Sequence, residues 1–126
     1  MDVRYNKLFW GGVFFFYQSV LLFFSTKEQI AIPFSSCFFS DKIIHFMEYL
    51  LLMVLFIHML KSTFLLDRRW LIRIGFIYLA VISLFDETIQ GTLTLHRDCS
   101  FGDWVADCLG GGLGFFFYSS VQRYFA

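Results

Sequence analysis

The stretch Trp70–Gln90, "WLIRIGFIYLAVISLFDETIQ", decides how the rest of the chain is read. Its first sixteen residues carry one charge, Arg73. It then sets Asp86 beside Glu87, with Gln90 one turn further on. A run of that length approaches the roughly 20 residues that cross the hydrocarbon of a bilayer. Its polar end therefore falls where hydrocarbon gives way to water.

Composition supports that solvent. Of 126 residues, 58% are hydrophobic and only 16% charged, with 19 phenylalanines. A domain this small has too little interior to hide so much apolar surface from water. The formal net charge is zero, so nothing points to a nucleic-acid partner. Three more apolar segments lie at about Leu8–Phe24, Ile43–Leu60 and Asp103–Val121. Transmembrane strands would be shorter and would alternate polar with apolar. The expected architecture is all-α: an integral membrane four-helix bundle, one domain over residues 1–126, with helices at about 8–24, 43–60, 70–90 and 103–121. Arg4 and Lys7 precede the first segment, as in a signal peptide. The following "STKEQIAIP" offers no small-x-small cleavage site, so an uncleaved helix is expected.

Charge placement sets the expected orientation. Arg4, Lys7, Lys61, Arg68, Arg69 and Arg123 fall on one side of four spans, and Arg73 can snorkel to it. The other side holds Lys27, Lys42 and Arg97. The positive-inside rule then puts both termini in the cytoplasm. Most acidic residues fall outside or in the outer half of a helix.

Helical spacing gathers these polar residues. At about 100° per residue, Asp41, His45 and Glu48 share one side of helix 2. Asp86 and Gln90 are one turn apart on helix 3, with Glu87 off to one side. Asp103 and Asp107 share a face of helix 4, and Gly110 and Gly114 continue it inward as a small-residue seam for close packing. A carboxylate facing lipid costs about 2.5–3.5 kcal/mol at a helix centre, so His45, Glu48 and Asp107 should face one another or a wet cavity. Arg97, between helices 3 and 4, is the expected counter-ion over the cluster. The plainer reading is that Asp41 and Asp103 complement helix N-termini, while Asp86 and Glu87 mark the end of a span.

The same residues carry a resemblance. "DKIIHFMEYLLL", "FDETIQ" and "RDCSFGDWVADCLGGGLG" are similar to the motifs of the VanZ-like membrane protein family: D-K-x-x-H-x-x-x-Y, D-E-x-x-Q and R-x-x-S-x-x-D-x-x-x-N-x-x-G-x-x-x-G. They fall on Asp41, Lys42, His45 and Tyr49; on Asp86, Glu87 and Gln90; and on Arg97, Ser100, Asp103, Gly110 and Gly114. Asp107 stands where the family has asparagine, which adds a negative charge. The resemblance implies a small bacterial inner-membrane protein associated with resistance to glycopeptides, teicoplanin especially, or one with a housekeeping envelope role.

Three functions remain in view. The first is binding or modulation of an envelope lipid or lipid-linked precursor at an outward-facing polar pocket. The second is an enzyme acting on such a molecule, with His45 as base, Glu48 as its orienting partner, and the carboxylates able to hold Mg²⁺ or Ca²⁺. The third, an ion or proton path, is opposed by the apolar inner stretches "LLMVLFI" and "GGLGFFF". The sequence leaves the cofactor, any metal, the ligand and the oligomeric state open. Cys37 and Cys99 fall in the two outer loops, where a disulfide could join them. Cys108 reads as a small packing residue. No paired Cys/His spacing suggests a structural zinc site.

Overall fold

The computed structural model describes residues 3–27, 38–94 and 101–125, the side chains of residues 3–5, 38–41 and 122–125 aside. Four helices follow one another: α1 (Val3–Ser25), α2 (Phe38–Thr63), α3 (Arg68–Leu93) and α4 (Phe101–Phe125). There is no strand among the described residues. All four helices outrun the apolar segments that announce them. Apolarity marks only the part of a helix that must avoid water; charged residues such as Lys61 and Arg68 are good helix formers and continue it. The α2–α3 connection therefore shrinks to Phe64–Asp67.

Asp67 begins α3 as its N-cap. Its backbone is extended (φ −72°, ψ 166°), and its carboxylate accepts a hydrogen bond from the Trp70 amide at 2.9 Å. That bond satisfies one of the amides a helix start leaves without a partner. Replacing Asp67 with alanine is expected to cost about 1 kcal/mol. Thermal unfolding in detergent measures it, and an unchanged midpoint would remove the cap from the account.

Successive helices run antiparallel, which makes α2 and α4 parallel. Tyr17 Oη donates to the Glu48 carbonyl at 3.0 Å and Trp10 stacks edge-on against His58, so α1 descends as α2 rises. Tyr49 Oη reaches the Ile82 carbonyl at 3.4 Å, while Gly75 lies against Ile57. The core forms around α2, whose Leu52, Met53, Phe56, Ile57 and Leu60 meet Phe14 and Leu21 of α1, Leu71 and Leu79 of α3 and Tyr118 of α4. Phe56 stacks on Tyr78 with centroids 3.9 Å apart.

The tightest approach is between α2 and α4. A Cβ built at Gly110 would lie 3.0 Å from the Phe46 Cα and overlap the Phe46 carbonyl oxygen. One turn on, a Cβ at Gly114 would lie 3.2 Å from the Leu50 Cα and overlap the Leu50 carbonyl oxygen. Only glycine lets the two backbones meet this closely. Gly110-x-x-x-Gly114 thus packs within the chain.

Two helical segments, Asn6–Ser25 and Lys42–Thr63, are long and apolar enough to cross a membrane. The other two helices have the length, 26 and 25 residues, but α3 carries Arg73, Asp86 and Glu87, and α4 carries Asp103 and Asp107. Besides its apolar core, the bundle exposes large apolar side chains and buries polar ones. Phe15, Phe16, Ile77, Val81, Leu109 and Phe116 are exposed, whereas His45, Asp86, Glu87, Gln90 and Asp107 are buried. In water, so much apolar surface would drive association. Against hydrocarbon, the same arrangement buries what hydrocarbon cannot solvate.

Candidate functional site

Three helices meet at one end of the bundle: the start of α2, the end of α3 and the start of α4. Each brings polar side chains inward there. On α3 the buried row Gly75, Leu79, Ser83, Glu87 runs beside the row Ile82, Asp86, Gln90, so the same stripe that packs the core turns acidic in its last two turns. On α2, His45 and Tyr49 lie one turn apart, both buried. On α4, Asp103 and Asp107 lie one turn apart, directly before the glycine seam.

The contacts cross between helices. The Lys42 ammonium of α2 meets Asp103 Oδ1 of α4 at 2.6 Å, with Lys42 partly exposed at the rim. One turn deeper, His45 Nδ1 lies 3.0 Å from Asp107 Oδ1. Tyr49 Oη donates to Asp86 Oδ2 of α3 at 3.2 Å, and Gln90 Nε2 donates to the same oxygen at 3.3 Å. Asp86 and Glu87 are each 1% exposed and Asp107 is fully buried. Their opposite oxygens, Asp86 Oδ1 and Asp107 Oδ2, are buried without a hydrogen-bond partner. Donor atoms of His45, Asp86 and Asp107 lie within 4.8 Å of one another, as do those of His45, Glu87 and Asp103.

The structure therefore brings together His45, Tyr49, Asp86, Glu87, Gln90, Asp103 and Asp107. Glu87, in the row beside Asp86 and Gln90, is as deeply buried as Asp86. From α4, Asp107 meets His45. Glu48 is half-buried, and its backbone carbonyl serves the α1 contact. Asp41 lies in α2, its side chain outside the described residues; Arg97, Ser100, Cys37 and Cys99 also lie outside them. Cys108 is a free, half-buried thiol. By sequence alone Lys42 is a topological charge and a motif position. Its spacing could have placed it here: Lys42 precedes His45 by three residues, as Asp103 precedes Asp107 by four, so two parallel helices can pair them in register.

A sequence model of the VanZ/LLP1 family matches residues 7–122. The chain belongs to the VanZ/LLP1 family. No curated protein and no solved structure matches it. The VanZ/LLP1 match takes in most of all four helices, and every residue of the buried cluster falls within it. In this VanZ/LLP1 chain, the motif residues that are described do not line separate elements. The polar ones converge on one cluster, and Gly110 and Gly114 pack beside it; the cluster can hold a cation, donate and accept protons, or orient a polar group reaching in from the rim at Lys42.

Proposed function

We propose that this VanZ-like protein is a multi-pass protein of the bacterial inner (cytoplasmic) membrane, a four-helix membrane bundle with both termini in the cytoplasm. Its cluster faces outward as a polar pocket and binds the head group of an envelope lipid or lipid-linked precursor. By holding that molecule it alters what a glycopeptide meets at the membrane surface and contributes to resistance, to teicoplanin in particular. One observation carries the reading: charged and polar side chains from three helices are buried together at one end of a bundle whose outer surface is apolar. Buried ionisable groups inside a membrane are costly and are commonly functional. The excess of Lys and Arg at the opposite end supports the outward direction.

The test has two arms. Native mass spectrometry of detergent-purified protein is expected to show an envelope lipid on the wild type that Arg97→Ala loses. In a sensitive strain, wild-type protein is expected to protect against teicoplanin more than against vancomycin, and Arg97→Ala not to protect at matched membrane levels. Equal lipid content and equal susceptibility for the two proteins would overturn the proposal.

A second reading, an enzyme acting on the same class of lipid, draws on the His45–Asp107 pair at 3.0 Å. A carboxylate that orients an imidazole is the arrangement a general base needs. A modified lipid that disappears in a His45→Ala strain would favour catalysis over binding.

A further inference from the structure

We propose that His45, Asp86 and Asp107 hold a divalent metal cation, one ligand from each of α2, α3 and α4. Each side chain is at least nine-tenths buried, and their donor atoms already lie within 4.8 Å of one another. Ligands bonded at 2.0–2.2 Å in a tetrahedral arrangement stand about 3.3–3.6 Å apart. The three donors thus need to close by about 1.5 Å at most, within reach of side-chain rotation.

The independent sign is the pair of orphaned oxygens. Asp86 Oδ2 takes hydrogen bonds from Tyr49 and Gln90, and Asp107 Oδ1 pairs with His45. Asp86 Oδ1 and Asp107 Oδ2, on facing helices, are buried without a hydrogen-bond partner. Both donors to Asp86 are neutral groups, and Asp86 has no cationic side chain in ion-pair contact among the described residues. A carboxylate removed from water must be paired, metal-bound or neutralised. A cation between the two aspartates meets the need of both at once. Tyr49 and Gln90 would then fix the orientation of the ligating Asp86 carboxylate, the outer support that protein metal sites usually carry.

The donor set narrows the ion. One imidazole nitrogen with two carboxylate oxygens suits Mn²⁺, Fe²⁺ or Zn²⁺. Ca²⁺ takes six to eight oxygens, and Mg²⁺ keeps mostly water. With three protein ligands, positions remain open for the phosphate of a lipid head group; that last step rests on the proposed binding role, whereas the metal site itself does not.

The experiment uses the full-length, tag-free protein in detergent. Metal content is measured by mass spectrometry after purification without chelator. Thermal unfolding is then followed after EDTA treatment and after addition of Mn²⁺, Zn²⁺, Mg²⁺ or Ca²⁺. The wild type is expected to carry about one transition-metal ion per chain, to melt lower after EDTA and to recover with Mn²⁺ or Zn²⁺. Asp86→Asn, which keeps the side chain's size, is expected to lose the ion and the recovery. Gln90→Leu is expected to weaken metal binding roughly 10–100-fold. His58→Ala, at the other end of α2, should behave as wild type. The proposal is overturned if no ion is bound and none of the four shifts the wild-type midpoint. It is equally overturned if Asp86→Asn binds the ion and responds to EDTA and metal like wild type. Lipid content measured on the same samples separates the two ideas. Lipid without metal overturns the metal site alone, and metal without lipid overturns the lipid reading alone.

Discussion

Leucine at Gly110 is expected to drive α2 and α4 apart and to leave little folded protein in the membrane. Even the single methyl of Gly110→Ala would overlap the Phe46 carbonyl, and backbone on a neighbouring helix cannot swing aside as a side chain can. Overpacking of this kind costs about 1–3 kcal/mol for a small group, and more for a larger one. The control lies two residues away. Nothing is within 4 Å of a Cβ added at Gly112, so Gly112→Ala is expected to be neutral or to stabilise by up to about 1 kcal/mol through helix propensity. Membrane accumulation and melting temperature in detergent read out both variants. A Gly110→Leu protein that accumulates and melts like wild type would sink the close α2–α4 crossing.

Replacing His45 with leucine is expected to be as damaging for an electrostatic reason. Asp107 is fully buried, and His45 Nδ1 is the partner of its Oδ1 at 3.0 Å. Removing one member of a buried pair strands the other and costs about 3–5 kcal/mol. Replacing both members with apolar residues removes the stranded charge, so His45→Leu/Asp107→Leu should regain most of that loss while any function of the cluster stays lost. The coupling is read from melting temperatures of the two single variants and the double variant. Additive losses would show that the two side chains do not depend on each other.

Much of this architecture is legible in the sequence. Apolar runs between turn-rich stretches gave four helices, and the i, i+4 spacing of Asp86 with Gln90 and of Asp103 with Asp107 put each pair on one helix face. Helix ends were less legible, because hydrophobicity reports the span rather than the hydrogen-bonded helix. Glu87 reads from the sequence as a member of the same polar group, off to one side of the Asp86–Gln90 line. Its burial follows from the two-row stripe, Leu79 and Ser83 in one row and Ile82 in the other, because α3 faces both α2 and α4. The partners across helices were not legible at all. Lys42 with Asp103 and His45 with Asp107 are separated by 61 and 62 residues, and no local rule sets that register. The register comes from the glycines: their shared face marks Gly110 and Gly114 as the seam among the four at positions 110, 111, 112 and 114, but not the residues they meet. Only the packing shows that two meet the α2 backbone, that Gly111 meets Leu79 and that Gly112 meets nothing.

The glycine seam also acts as a ruler. Phe46 sits on Gly110 and Leu50 on Gly114, with the repeat of one helical turn on both sides. A slide of α2 along α4 by one turn, about 5.4 Å, would set Phe46 on Gly114, a step for which the seam already has a notch. The same slide would carry His45 one turn away from Asp107 and break their 3.0 Å contact. Such a slide would dismantle the polar cluster by a whole turn while leaving a glycine beneath the α2 backbone. A ligand that bridges α2 and α4 would set the position of one helix along the other in the act of binding.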